Sequence, residues 1–187
     1  MGSFLCRHST YARRFRVASM AWLRQRDGVT CGPSVAVMAG ALLDANYGAP
    51  LRAARGQQWF DAEQGRVHRA VNVVWPRALG TTPAGMARAL NTHAAARGIR
   101  YRWRPAVRRD ALADVCAAIT DGWPVAMLIG SAIPRHWVLM TEIDDAALRC
   151  YEPSSGRLLP VSVEAIRQAR LQGLGFPRPF AFVLPAH

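Results

Sequence analysis

An α+β fold is predicted, with helices early in the chain and antiparallel strands after them. Three observations carry it. Helical spacing of apolar residues, with helix-start chemistry, is concentrated before residue 98. Alternating and short continuous apolar runs follow from residue 99 onwards. Turns at Asp144-Asp145 and Ser154-Ser155-Gly156 divide the later runs, and helices first with antiparallel strands after is an α+β layout.

In order, residues 1–20 read as a basic arm, with a short helix near Tyr11–Met20. A turn-rich segment, Trp22 to Gly32, opens a buried helix over about 33–45, whose Pro33 costs nothing at its start and whose end is marked by Asn46 and Gly48. Residues 49–81 read as irregular and basic. Thr82-Pro83 opens a second helix that Gly98 stops. Residues 99–105 alternate as a strand, with Tyr101 and Trp103 expected on one face. Asp110 is expected to cap a helix ending at Asp121-Gly122. Strands are expected at 124–129, 136–143, 146–153 and 180–184, with a strand running into a short helix over 160–170. One domain over 21–187 is expected, with a helical lobe to about 98 and a β-rich lobe from about 99.

The 187 residues, 51% hydrophobic and 19% charged, suffice for a core and exclude a disordered chain. No apolar run reaches the roughly 18 residues of a membrane-spanning helix. The first residues lack the apolar stretch of a secretory signal. The net charge is +12, and all 24 basic residues are arginine. A GC-rich genome is the preferred explanation for that bias, and avoidance of ubiquitin-acceptor lysines by a toxin or effector is the second. Residues 52–109 carry twelve Arg against Asp61 and Glu63. No zinc-finger, basic-zipper or single-strand-binding motif accompanies this charge, so a solvated face is expected and nucleic acid is not the expected partner.

Of four cysteines, Cys116 and Cys150 lie in apolar stretches and Cys6 in the arm. No Cys-x-x-Cys pair or His-Glu-x-x-His run is present, and neither a metal nor a cofactor is expected. Cys31 differs. It directly precedes Gly32-Pro33 at a helix start, where the helix dipole and unsatisfied N–H groups favour a thiolate suited to covalent acyl transfer. Gln25, six residues upstream, has an amide that can donate to an oxyanion beside the Cys31 N–H.

The base is expected to be His136. His187 is the last residue, His8 is in the arm, His93 is mid-helix, and His68 has Arg66 and Arg69 around it. His136 opens an apolar strand after a loop and is followed by Trp137. In a hairpin turning at Asp144-Asp145, partners sum to about 289, which pairs position 136 with 153. A one-residue shift would set Glu152 across from His136, to fix its tautomer as a third triad member.

Gln25…Cys31-Gly32-Pro33, His136-Trp137-Val138 and, sixteen residues after His136, an acid followed by proline and a Ser-Ser-Gly turn together resemble papain-fold cysteine peptidases. The branch they resemble is the bacteriocin-leader-processing peptidases and their stand-alone relatives. The resemblance spans about residues 20–185 through three short motifs, and residues 46–110 have no counterpart in it. It implies a helical lobe bearing Cys31, packed on an antiparallel β lobe bearing His136, with the cleft between them. It also implies Cys31 as nucleophile, His136 as base, Gln25 as oxyanion donor and Glu152 as orienting acid. Glu152 departs from the family's usual Asp by one methylene.

Hydrolysis of a peptide or protein, with acidic substrates among the candidates, is therefore the expected activity, through a thioester. The same residues serve deamidases, transglutaminases and acyltransferases, and an inactive basic binding module is the non-enzymatic alternative. A toxin or effector exported without a secretory signal, with an immunity or chaperone partner, and a processing peptidase kept in the bacterial cytoplasm are both consistent with the sequence.

Overall fold

Residues 20–71, 80–107, 110–144 and 147–186 are described by the structure, a computed structural model. The expectations for the basic arm, Cys6, His8 and His187 lie outside them. The first helix, α1 (Cys31–Leu43), is buried at every position, as expected of a helix apolar all round. It begins two residues earlier than its sequence periodicity indicates, so that Cys31 is its first residue. A short α2 (Ala45–Gly48) is capped by the Asp44 carboxylate. Two longer helices, α3 (Gly56–Val71) and α4 (Pro83–Ala94), pack on α1.

Helix α3 corrects the irregular reading over residues 56–71. Its buried stripe runs through Phe60, Val67 and Val71, but the other buried positions are Gly56, Glu63, Gln64, Gly65 and His68. Polar and small residues occupy the inward face, so the apolar period is diluted. Gln64 is tolerated there because its amide is matched: Oε1 accepts from the Ser34 hydroxyl at 2.8 Å and Nε2 donates to the Phe60 carbonyl at 3.2 Å.

The second half forms one sheet of six strands, all antiparallel: β1 (Arg100–Pro105), β2 (Val125–Gly130), β3 (Pro134–Asp144), β4 (Ala147–Glu152), β5 (Arg157–Ser162) and β6 (Arg178–Ala186). Their spatial order is β1-β6-β2-β3-β4-β5. The chain is α+β, with six α-helices among the described residues. Helices α5 (Ala113–Thr120) and α6 (Val163–Arg167) lie in this half.

The sheet is covered on both faces. Ala126, Leu128, Trp137, Leu139, Tyr151, Ala181 and Val183 join the cluster built on α1, α3 and α4. Their neighbours Val125, Met127, Ile129, Val138, Met140, Phe182 and Leu184 join a second cluster with Val115 and Ile119 of α5 and Ile166 of α6. Burial of both alternating sets explains why β2 reads as a continuous apolar run.

Tyr101 and Trp103 both lie in β1, two residues apart and so on one face, but they differ in burial, at 2% and 48% exposed. Helix α4 covers β1 at the Tyr101 end, where Asn91 bonds both backbone groups of Tyr101. Asp110 does not cap α5. That helix starts after Leu112, which has a positive φ of 56°, and the Asp110 carboxylate accepts from the Leu112 N–H and pairs with Arg104 instead.

Candidate active site

Three segments converge where β3 begins and β4 ends. The first is the turn before α1, where the Thr30 hydroxyl donates to the Asp27 carbonyl and accepts from the Asp27 N–H, both at 3.1 Å. This loop brings the chain into α1 with Cys31 at its first residue, 6% exposed. Gly32 is held tightly: a Cβ there would lie 2.5 Å from the Thr81 hydroxyl oxygen and 3.2 Å from Trp137. Trp137 in turn donates its indole N–H to the Thr81 carbonyl at 2.9 Å. The missing side chain of Gly32 thus lets α1, the chain before α4, and β3 approach one another closely.

The second segment is His136, which is 7% exposed. Its Nε2 lies 2.9 Å from Glu152 Oε1. Burial alone would lower its proton affinity, but hydrogen bonds to the Cys31 and Glu152 side chains and their charges raise its pKa from 6.5 to about 9. The Phe176 ring sits against the imidazole, centroids 5.9 Å apart.

The third is the β4–β5 turn. Burial works to raise the Glu152 pKa, but His136 and the Ser154 and Ser155 N–H groups hold it at about 2. Those N–H groups donate to Oε1 and Oε2, each at 2.8 Å. Both carboxylate oxygens are therefore fixed. The Ser-Ser-Gly turn after Pro153 was the sequence signal for these donors, and Gly156, with φ of 67°, completes it.

The expected hairpin register is corrected. Leu139 pairs with Tyr151 and Met140 with Cys150, but past a bulge at Thr141 the pairs become Glu142 with Arg149 and Asp144 with Ala147. Continuing the Leu139 pairing toward the site sets Glu152 opposite Val138, so His136 is its diagonal neighbour. A diagonal on one face is within reach of a long side chain. The additional methylene of Glu over Asp matches that span.

Gln25 is beside the same turn. Its backbone N–H donates to the Pro153 carbonyl at 2.8 Å, its Oε1 accepts from the Ser154 hydroxyl at 3.3 Å, and its Nε2 donates to the Asp27 carbonyl at 2.5 Å. The preceding residues are strapped to the turn too: Arg24 donates to the Ser154 carbonyl, and the buried Tyr151 hydroxyl to the Leu23 carbonyl at 2.6 Å. Tyr151, Phe176 and Thr81 had no signal in the sequence, since their partners are distant along the chain.

Cys31, Cys116 and Cys150 are buried. Burial pushes the Cys150 thiol up to about 12. Among the described residues no group of three His, Cys, Asp or Glu side chains is arranged to hold a metal ion, and no helix is long and apolar enough to cross a membrane. No protein-family model matches the chain, and no curated protein matches it.

Proposed function

We propose that the chain is a papain-like cysteine hydrolase acting on a peptide or amide bond through Cys31, His136 and Glu152, with Gln25 as oxyanion donor. One observation carries this reading: a buried His136 whose Nε2 is 2.9 Å from Glu152 and whose proton affinity is raised jointly by Glu152 and Cys31. With Nε2 on the carboxylate, Nδ1 is the nitrogen left for the sulfur. Nucleophile, base and orienting acid then form one chain of contacts.

In the proposed reaction the Cys31 sulfur attacks the substrate carbonyl, and the oxygen that becomes negative is met by the Cys31 N–H and by the Gln25 amide N–H not bonded to Asp27. Collapse breaks the C–N bond. The imidazolium of His136 gives its proton to the departing amine, leaving a thioester on Cys31. Water then attacks the thioester while His136 takes its proton, releasing the acid and restoring the thiol–imidazole pair. Glu152 keeps the ring oriented throughout, and its two backbone donors prevent the carboxylate from swinging away.

The test is a comparison of cell extracts incubated with the wild type and with Cys31→Ala, read by mass spectrometry of new peptide termini and of Gln and Asn deamidation. New termini or deamidation found only with the wild type support the reading and identify the substrate. Identical extracts, together with no covalent adduct from a peptide electrophile, overturn it.

A further inference from the structure

A cavity of about 760 Å³ lies where the start of α5, the end of α6 and the start of β6 converge. None of Gln25, Cys31, His136 and Glu152 lines it. Its floor is apolar: Leu112, Ile166 and Phe182 are each 2% exposed or less. Val107 at the rim is 60% exposed, one of three large apolar side chains left in water among the described residues.

The charge at the rim is one-sided. Among the described residues Asp110 is the only carboxylate in the wall, and Arg104 and the Leu112 N–H already engage it. Arg167 pairs with Glu164 at 3.3 Å. Arg170 and Arg178 also line the cavity, and neither forms a salt bridge with a described residue. Arg170 and Arg178 therefore stand in the wall above an apolar floor, with no carboxylate of a described residue paired to either.

The backbone supplies an independent indication. Among the described residues only two that are not glycine have positive φ, Leu112 at 56° and Ala169 at 55°. Both are in the wall of this cavity. Such a conformation is unfavourable for an L side chain and gathers at sites that bind. Here it sets the two ends of the wall, one before α5 and one after α6.

We infer that this cavity binds an anionic amphiphile, a carboxylate carried on an apolar chain. The carboxylate would be taken by Arg170 and Arg178 as charge-assisted hydrogen bonds, and the chain would lie on Leu112, Ile166 and Phe182. The inference does not rest on the thiol chemistry, so Cys31→Ala should bind as the wild type does.

The probe is sodium decanoate below its aggregation concentration, titrated calorimetrically into the full chain, with decyltrimethylammonium as the cationic equivalent. Saturable binding of decanoate alone is expected. Arg170→Gln/Arg178→Gln should weaken it by about tenfold or more without lowering Tm, and Val107→Glu, a change at an exposed position, should weaken it by charge repulsion. Removal of two arginines elsewhere, Arg88→Gln/Arg149→Gln, should leave it within about twofold. Absence of decanoate binding at millimolar concentration overturns the inference. So does equal binding of the two amphiphiles, or an equal loss in the two double variants, which would mark a general response to the net charge.

Discussion

At the scale of single residues, the proposed chemistry depends on four side chains with unequal supports. Glu152 is held by His136 and by two backbone N–H groups, so amidation would both weaken the contact with His136 and set an NH₂ against N–H donors. Glu152→Gln should therefore lower turnover by about 10⁴, as amidation of a triad carboxylate does. Glu152→Asp restores the charge but shortens a diagonal reach, and its turnover should fall between wild type and Glu152→Gln. Gln25→Ala should cost about 10²–10³ in turnover with little change in KM, since one oxyanion donor is lost. A Gln25→Ala enzyme within a few-fold of wild type would assign the oxyanion contact to another group. All three variants are read by steady-state kinetics on a substrate identified as above.

At the scale of elements, the His136–Glu152 contact ties the start of β3 to the end of β4, and it titrates. Glu152 is lowered from 4.5 to about 2, so its contribution to stability is complete above pH 4.5 and lost as pH falls toward 2. His136 is raised from 6.5 to about 9, so its contribution is complete below pH 6.5 and lost as pH rises through 9. The difference in Tm between wild type and Glu152→Gln should accordingly be greatest between pH 4.5 and 6.5 and shrink on either side. A difference independent of pH would contradict the pairing. Gly32→Ala should destabilise by roughly 1–3 kcal/mol, measured by denaturant unfolding, because the added methyl meets Thr81 and Trp137 at the α1–β3 contact. The strands and the helices α1 and α4 were legible because their apolar patterns are undiluted. Helix α3 was not, because its buried face is built from Gln64, Gly65 and His68. The diagonal placement of His136 and Glu152 was out of reach as well, since a bulge at Thr141 changes the register without any Gly or Pro to mark it.

At the scale of the whole molecule, the sheet is buried on both faces, and α1 packs on one of them with the buried Cys31 as its first residue, next to the point where β3 begins and β4 ends. Helices contribute the thiol and the sheet contributes the histidine and acid, so the site exists only when both halves of the chain are packed together. Cys31→Ala removes one sulfur from this junction and should keep the wild-type circular dichroism spectrum. The most direct measurement is the alkylation rate of each cysteine of the native protein by iodoacetamide at about pH 6, followed by peptide mapping, because an ordinary thiol is almost wholly protonated there. Cys31 should be modified much faster than Cys6, Cys116 and Cys150, and His136→Ala should remove its advantage. Labelling of Cys31 no faster than the others, or unchanged in His136→Ala, would contradict a thiol activated by His136.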